Sequence, residues 1–137
     1  MASNTSPVFV SGPKISWSGS MTTADTDTSM ATGTSYLVYT AGANGSKVET
    51  VNIWHLGTNV STVVRFFVNN GSSTGTAANN ALVQEFTMAA NSVSQNAASV
   101  PVVWAANLYL GSGYKLYATL GTAVSAGIMA AAQGGDY

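Results

Sequence analysis

Charged side chains are scarce in this chain. Asp, Glu, Lys and Arg make up 7% of its 137 residues, against about 25% in an average soluble protein. The formal net charge is −1, and the four cations, Lys14, Lys47, Arg65 and Lys115, are dispersed along the sequence. Clusters of Lys and Arg bind nucleic acids and anionic membrane surfaces, so we expect neither partner. A weakly charged surface repels its own copies little, which favours a component of an assembly.

Cysteine is absent, and histidine occurs once, at His55. Without thiols, neither a disulfide framework nor a thiolate metal site can form. Nucleophilic hydrolysis needs a base that is oriented by a carboxylate, and zinc needs three or four His, Cys or carboxylate ligands. The nearest carboxylate along the chain on the same strand-like run is Glu49, and no such set surrounds His55. We therefore predict a structural histidine on a strand, no enzyme activity, no cofactor and no metal site.

Two short motifs point only weakly toward chemistry. The stretch AVSAG (123–127) resembles a nucleophile elbow, but no histidine follows Ser125 as that order of triad residues requires. The stretch DTDTSM (25–30) opens like a calcium-binding loop but lacks the Gly and Glu that an EF-hand needs further on. We expect no catalysis at the first motif. At the second, weak cation binding by Asp25 and Asp27 stays open beside the simpler interpretation as a polar turn.

Long apolar runs are missing as well. No stretch approaches the ~20 apolar residues of a transmembrane helix. The beginning, MASNTSPVFVSGPK, lacks the basic start and the apolar core of a secretory signal. We therefore predict neither a transmembrane helix nor a secretion signal.

What the chain does contain is a series of short runs rich in Val, Ile, Phe, Tyr and Trp, the residues typical of strands. The runs cover 36–41, 47–56, 62–70, 81–89, 100–110 and 114–121. An alanine-rich end, 126–137, follows; alanine favours helix, but the position after repeated strands favours a last strand. Turn residues separate runs spaced by about 8–12 residues, which predicts an all-β fold, an antiparallel β-sandwich or barrel.

Patterns within the runs make this prediction more specific. The alternation of the second run slips near Thr50, which predicts a β-bulge there. Both faces of 62–70 carry bulky side chains, so we expect that strand to be covered on both sides, at least in part. Arg65 lies on this strand and needs a partner, which Glu49 or Glu85 could supply across a sheet.

Turn sequences carry two further signals. Asn44-Gly45 is the strongest short signal for a β-hairpin, and it stands between the first two runs. The phrase LGTNVS (56–61) returns as LGTAVS (120–125). Two similar strand-to-turn corners at corresponding places of a two-sheet fold would explain the repetition, and chance reuse of common turn residues is the alternative.

Residues 1–34 differ from the rest in carrying two prolines, many Ser and Thr, and apolar residues only in short islands. This composition predicts an extended N-terminal arm, 1–34, before a β-sandwich domain, 35–137. Phe9, Ile15 and Trp17 would be unusual in a purely solvated tail, so we expect them to anchor the arm on its own domain or on a neighbouring subunit.

Several aromatic residues allow two interpretations. Trp and Tyr are enriched at subunit interfaces, and we favour that role for Trp17 and Trp54. A sugar-stacking platform is the alternative. Its candidates are Trp17, Trp54, Trp104, Tyr109, Tyr114 and Tyr117.

Four phrases, YTAGANGSKVETVNI, LGTNVSTVVRFFVNNG, GYKLYATLGTAVSAG and the final GGDY, resemble a family of small virion proteins of tailed bacteriophages. The similarity spans 36–137 and leaves the arm uncovered, and the alanine-rich last segment departs from the family pattern. The resemblance implies a jelly-roll-like β-sandwich and a head decoration (cement) protein on the outside of the capsid, assembled in the host cytoplasm.

The resemblance also implies partners. We expect binding to the major capsid protein and self-association, with a trimer favoured and a dimer second. The expected interface residues are Phe9, Ile15, Trp17, Trp54 and Arg65. A tail, neck or fibre component that binds a receptor or a glycan, with the loop NNGSSTGTAANN as its ligand site, is the alternative.

Overall fold

Alternating side chains and closely spaced turns produce an almost all-β structure. The computed structural model describes residues 10–137, and within them there is no α-helix. The strands are β1 (Gly12–Trp17), β2 (Tyr36–Thr40), β3 (Ser46–His55), β4 (Thr62–Asn69), β5 (Asn80–Met88), β6 (Val102–Trp104), β7 (Leu108–Leu110), β8 (Lys115–Leu120) and β9 (Ile128–Asp136). A short 3-10 turn, Ala77–Asn79, precedes β5.

The strands form two antiparallel sheets. Sheet A has the order β1-β9-β3-β6, with β7 also paired to β3, and sheet B has the order β2-β8-β4-β5. Most connections cross from one sheet to the other; β4 and β5 are consecutive strands that pair directly. The all-β, antiparallel fold class is confirmed.

Most of the predicted runs are observed as strands with nearly the expected limits. The run 100–110 is divided into β6 and β7, and both segments pair with β3. The alanine-rich end is β9, a central strand whose neighbours are β1 and β3. The predicted bulge is confirmed, because the β3–β9 register shifts between Val48 and Thr50.

The predicted hairpin at Asn44-Gly45 is wrong. A tight turn does form there: Gly45 has φ 88° and its N–H donates to the carbonyl of Gly42 at 3.0 Å. However, β2 pairs with β8 in sheet B, whereas β3 pairs with β9, β6 and β7 in sheet A. Each strand places an apolar face in the core, so the two face each other across it and do not pair side by side.

The two sheets enclose one apolar core. Sheet A contributes Val48, Val51, Ile53, Ile128, Ala130 and Ala132, and sheet B contributes Val38, Tyr39, Val64, Phe66, Leu116 and Leu120. Complete burial of a Val, Leu, Ile or Phe side chain stabilises a fold by about 1.5–3 kcal/mol. Phe66, Phe86 and Trp104 form an aromatic cluster with ring centroids 5.1–6.3 Å apart, which closes the core on the side of β5 and β6.

Strand β4 is covered on both faces, as predicted. Phe66 and Phe67 are both fully buried, although alternation points them to opposite sides of sheet B. Phe66 belongs to the main core and Phe67 does not. The segment 22–34 lies along the outer side of sheet B, where Asp25 N–H donates to Leu120 O at 2.6 Å and Asn80 Nδ2 donates to Ser29 O at 3.0 Å.

Part of the predicted N-terminal arm lies on its own domain. Strand β1 pairs with β9 along its whole length, and Met21 is fully buried in the shared core. Residues 10–34 therefore contribute a strand of sheet A and a covering segment of sheet B. The predicted anchor Phe9 lies outside the residues that the structure describes.

Candidate functional site

The outer face of sheet A carries several large apolar side chains that are exposed. We define the outer face by Ile15, Trp17, Trp54, Val103 and Tyr109, whose exposed fractions are 62%, 61%, 36%, 61% and 72%. They come from β1, β3, β6 and β7. Scattered exposed apolar residues are normal, whereas a contiguous patch marks an interaction site.

Strand register places Trp17 and Val103 at the two ends of one row across the sheet. Trp17 is opposite Ala131 on β9, Ala131 is opposite Asn52 on β3, and Asn52 is opposite Val103 on β6. At about 4.8 Å between neighbouring strands, this row is about 14 Å long. The residue between Trp17 and Asn52 in this row, Ala131, has a small side chain.

The same face has little charge. Lys47 and Glu49 form an ion pair with 3.3 Å between Nζ and Oε1, and the Lys47 ammonium lies 5.8 Å from the ring centroid of Tyr109. Both therefore lie at the β7 end. Lys14, although on β1, points away: its Nζ donates to Thr40 O at 2.7 Å and lies 3.5 Å from Asp136 Oδ2. The row from Trp17 to Val103 therefore contains apolar side chains and the neutral amide of Asn52.

The structure brings together three of the predicted interface residues, namely Ile15, Trp17 and Trp54. Arg65 is elsewhere, on sheet B, where its Nε donates to Glu85 Oε1 at 2.7 Å across directly opposed strand positions. Glu85 is one of the two partners expected for Arg65.

Sequence patterns missed Val103 as a surface residue. The run VVW alternates, but its period does not show which face is inside. Trp104, a candidate for the sugar platform, packs against Phe66 at 5.1 Å between centroids. Tyr109, another candidate for that platform, is on the outer face.

His55 belongs to a different place, the corner between β3 and β4. The Asn59 amide is oriented by two bonds: its Oδ1 accepts from Ala126 N–H at 2.8 Å, and its Nδ2 donates to Gly127 O at 2.7 Å. The same Nδ2 lies 3.3 Å from His55 Nδ1. Neutral His55 therefore accepts at Nδ1 and carries its proton on Nε2.

A cleft of about 350 Å³ lies beside this histidine. Its walls are mostly small or apolar, and they include Met88, Ala98 and Pro101. No carboxylate is among the lining residues of this cleft, and in the part of the chain that the structure covers, Asn59 is the hydrogen-bonding partner of His55. The arrangement can hold the corner in place, and it lacks the carboxylate that would orient a catalytic base.

The two LGT corners lie side by side. The first leads from β3 in sheet A to β4 in sheet B, and the second leads back from β8 to β9. The hydroxyl of Thr62 accepts from Thr122 N–H at 2.9 Å and donates to Thr122 O at 2.9 Å. Their burial differs: Leu56 is 46% exposed, whereas Leu120 is fully buried. The phrases thus occupy matching places in the topology with different side-chain environments.

The Asp25–Gly33 loop is organised by its own hydrogen bonds. Asp27 accepts from the N–H and hydroxyl of Ser29 at 2.8 and 2.7 Å, and from the N–H and hydroxyl of Thr32 at 2.8 and 2.9 Å. These bonds, that of the Ser29 hydroxyl first, hold the pKa of Asp27 well below its usual value. Both carboxylate oxygens of Asp27 accept hydrogen bonds from the loop itself. Among residues 10–137, no group of three or more His, Cys, Asp or Glu side chains could hold a metal ion.

Comparison with protein-family models, with curated proteins and with solved structures found no match to this chain. Residues 10–137 form no helix with the length and apolar character needed to cross a membrane.

Proposed function

We propose that this chain is a structural protein of a tailed-phage virion, a decoration protein that binds the outside of the head and stabilises it. It acts by burying surface across joints between capsid subunits and not by catalysis. The observation that carries the proposal is the outer face of sheet A, which has little charge and exposes Trp and Tyr side chains.

The composition of this face supports a protein partner. Trp and Tyr supply most of the binding energy at many interfaces, especially where polar contacts surround them. Trp17, Trp54 and Tyr109, with Ile15 and Val103, expose on the order of 500 Å² of apolar surface, given about 150–250 Å² for each aromatic side chain. A typical specific interface buries about 800 Å² on each partner, so the outer face can form its apolar centre.

The strand order supports a jelly-roll-like sandwich as part of the same proposal. Strands β1, β3, β6, β7 and β9 make one sheet and β2, β4, β5 and β8 the other, so the chain winds repeatedly around one core. Jelly rolls recur in viral capsid and lectin domains. The partner in our proposal is the major capsid protein, and the site of action is the capsid surface.

A tail or fibre protein that binds a glycan is the second candidate, because Trp17 and Tyr109 are both exposed on the outer face. The loop first expected to hold the ligand offers less. Its amides bind within the loop and its neighbours: Asn69 donates to Asn80, Asn70 to Asn79, and Asn79 to Ser73 O.

Binding to purified shells tests the proposal. Heads that lack this protein, prepared from the virus that encodes it, are mixed with wild-type protein or with the Trp17→Ser, Trp54→Ser double variant and sedimented. Val100→Ser is the matched control, because Val100 is an exposed apolar residue of a loop outside the sheets. We expect wild type and Val100→Ser to sediment with the shells, and the double variant to bind at least about tenfold more weakly.

Mass spectrometry of separated heads and tails completes the test. Many copies in the head fraction support decoration. Copies confined to tails, together with glycan-array binding that the double variant loses, would replace decoration with the second candidate. Equal shell binding by all variants would remove the outer face from the proposal.

A further inference from the structure

The two sheets have four edges: β1 and, on the opposite side, β6 with β7 in sheet A, and β2 and β5 in sheet B. An exposed edge offers unpaired N–H and C=O groups to another strand, and proteins usually blunt it. Three of these edges are blunted. Lys14 on β1 donates to Thr40 O on β2 at 2.7 Å and so joins those two edges. Strand β6 is three residues long, and residues 105–107, which belong to no strand, separate it from the equally short β7.

Strand β5 is the exception. It has nine residues and pairs with β4 on one side, and no other strand of residues 10–137 pairs with its second side. A register shift between Phe66 and Phe67 of β4 leaves Val83 as an extra residue of β5. This bulge limits the regular edge to Gln84–Met88, whose central residue is Phe86.

We propose that β5 is the interface between two copies of this chain, paired antiparallel about a two-fold axis at Phe86. Strand addition of this kind satisfies the unpaired backbone groups of both copies at once, and a two-fold makes the contact self-complementary.

Charge complementarity supports this occupant. A two-fold at Phe86 places Glu85 of each copy opposite Thr87 of the other, so no like charges face each other. Within its own chain, Glu85 is neutralised by Arg65 at 2.7 Å, and the net charge of −1 adds little repulsion between copies. The hydroxyl of Thr87 can donate to the facing carboxylate.

Side-chain packing supports it as well. Phe86 lies on the core side of sheet B and is only partly buried. In the proposed dimer the two Phe86 rings are cross-strand neighbours, and each covers the remaining exposed edge of the other.

The dimer does not rest on the proposed function, but it has a consequence for it. A two-fold that extends sheet B is perpendicular to that sheet, so it places both copies of sheet A on the same side. The two outer faces would then point in one direction, and one dimer could bind a flat partner at two points.

Sedimentation velocity of the isolated protein, from low to high micromolar concentration, tests the interface. Wild type is expected to reach a monomer–dimer equilibrium. Thr87→Glu places the new carboxylate of each copy opposite Glu85 of the other copy. The two repulsive pairs should weaken the dimer about tenfold. Thr87→Lys, at the same exposed position, should leave the dimer intact or strengthen it. Ser112→Glu, in an exposed turn, controls for the added charge.

Hydrogen exchange of the wild-type protein gives a readout that needs no variant. Alternate amides within 84–88 should become more protected as the concentration rises, and those of β2 should not. A wild-type protein that stays monomeric, a trimer, or a Thr87→Glu variant that dimerises as wild type does would overturn the proposal. These results are independent of shell binding, so the two proposals can fail separately.

Discussion

At the scale of single residues, a buried amide stabilises the fold through hydrogen bonds that the apolar pattern of the sequence does not reveal. Asn59 is almost fully buried, and its amide bonds both to the second LGT corner and to His55. A buried polar group is tolerated only when such bonds satisfy it. The side chain therefore fixes where the two corners meet, and it fixes the tautomer of His55.

Asn59→Asp tests this role at nearly constant volume. The change replaces the Nδ2 donor by an oxygen that faces Gly127 O, so we expect a loss of roughly 2–4 kcal/mol in the free energy of unfolding. Urea denaturation measures it. Asn96→Asp, at an exposed loop position, is the control and should change stability by less than about 0.5 kcal/mol. A comparable effect of both substitutions would contradict the assigned role.

At the scale of elements, the end of β9 is held by a polar cluster. Asp136 lies opposite Gly12 on β1 and Ser46 on β3. Its Oδ1 accepts from the Ser46 hydroxyl and from Tyr39 Oη at 3.4 Å, and Oδ2 lies 3.5 Å from Lys14 Nζ. The Ser46 hydrogen bond, and then the charge of Lys14, lower the pKa of Asp136. Burial raises the pKa of Tyr39.

This cluster predicts a pH dependence. Because the pKa of Asp136 is lower in the folded state, its charged form stabilises the fold above the ordinary pKa of 3.8. That contribution is lost as the pH falls through the lowered, folded-state pKa. Asp136→Asn should lower stability at pH 7 by about 1 kcal/mol and flatten the acid limb of the stability curve. Urea denaturation between pH 7 and about pH 2 measures both, and an acid limb as steep as that of wild type would exclude Asp136 as its source.

At the scale of the whole molecule, the segment from Gly12 to residue 34 is an integral part of the fold and not a separate arm. Strand β1 covers one edge of β9, Met21 enters the core, and segment 22–34 lies on sheet B. Completing the fold is therefore a role of β1 that is separate from the partner binding that we propose for its exposed side chains. On β1, Ile15 and Trp17 face outward while Lys14 faces inward.

Deletion of residues 1–20 separates those tasks. It removes β1 and leaves the edge of β9 unpaired, so we expect a loss of at least about 2 kcal/mol in unfolding free energy or failure to fold. The Ile15→Ser, Trp17→Ser double variant keeps the β1 backbone and should stay within about 1 kcal/mol of wild type. Thermal and urea denaturation compare the two, and equal stability of the deletion variant and wild type would contradict a structural role for β1.

The sequence by itself determined what depends on neighbours along the chain. Runs of strand-forming residues between turn signals located the strands from β2 to β8, whereas β1 fell within the predicted arm. The slip near Thr50 located a bulge, and the lone charge on β4 required a partner, which is Glu85. The alanine-rich end could be assigned to a strand only by its place after other strands, because its composition favours helix.

Only the tertiary structure decided what depends on which strands meet. Asn44 and Gly45 do lie in a tight turn, yet that turn connects two sheets. Val103 is exposed and Trp104 packs inward, and Leu56 and Leu120 differ in burial although their sequence contexts match. The physical reason is that a period of two defines two faces of a strand, while the second sheet and the segments packed on it determine which face is removed from water.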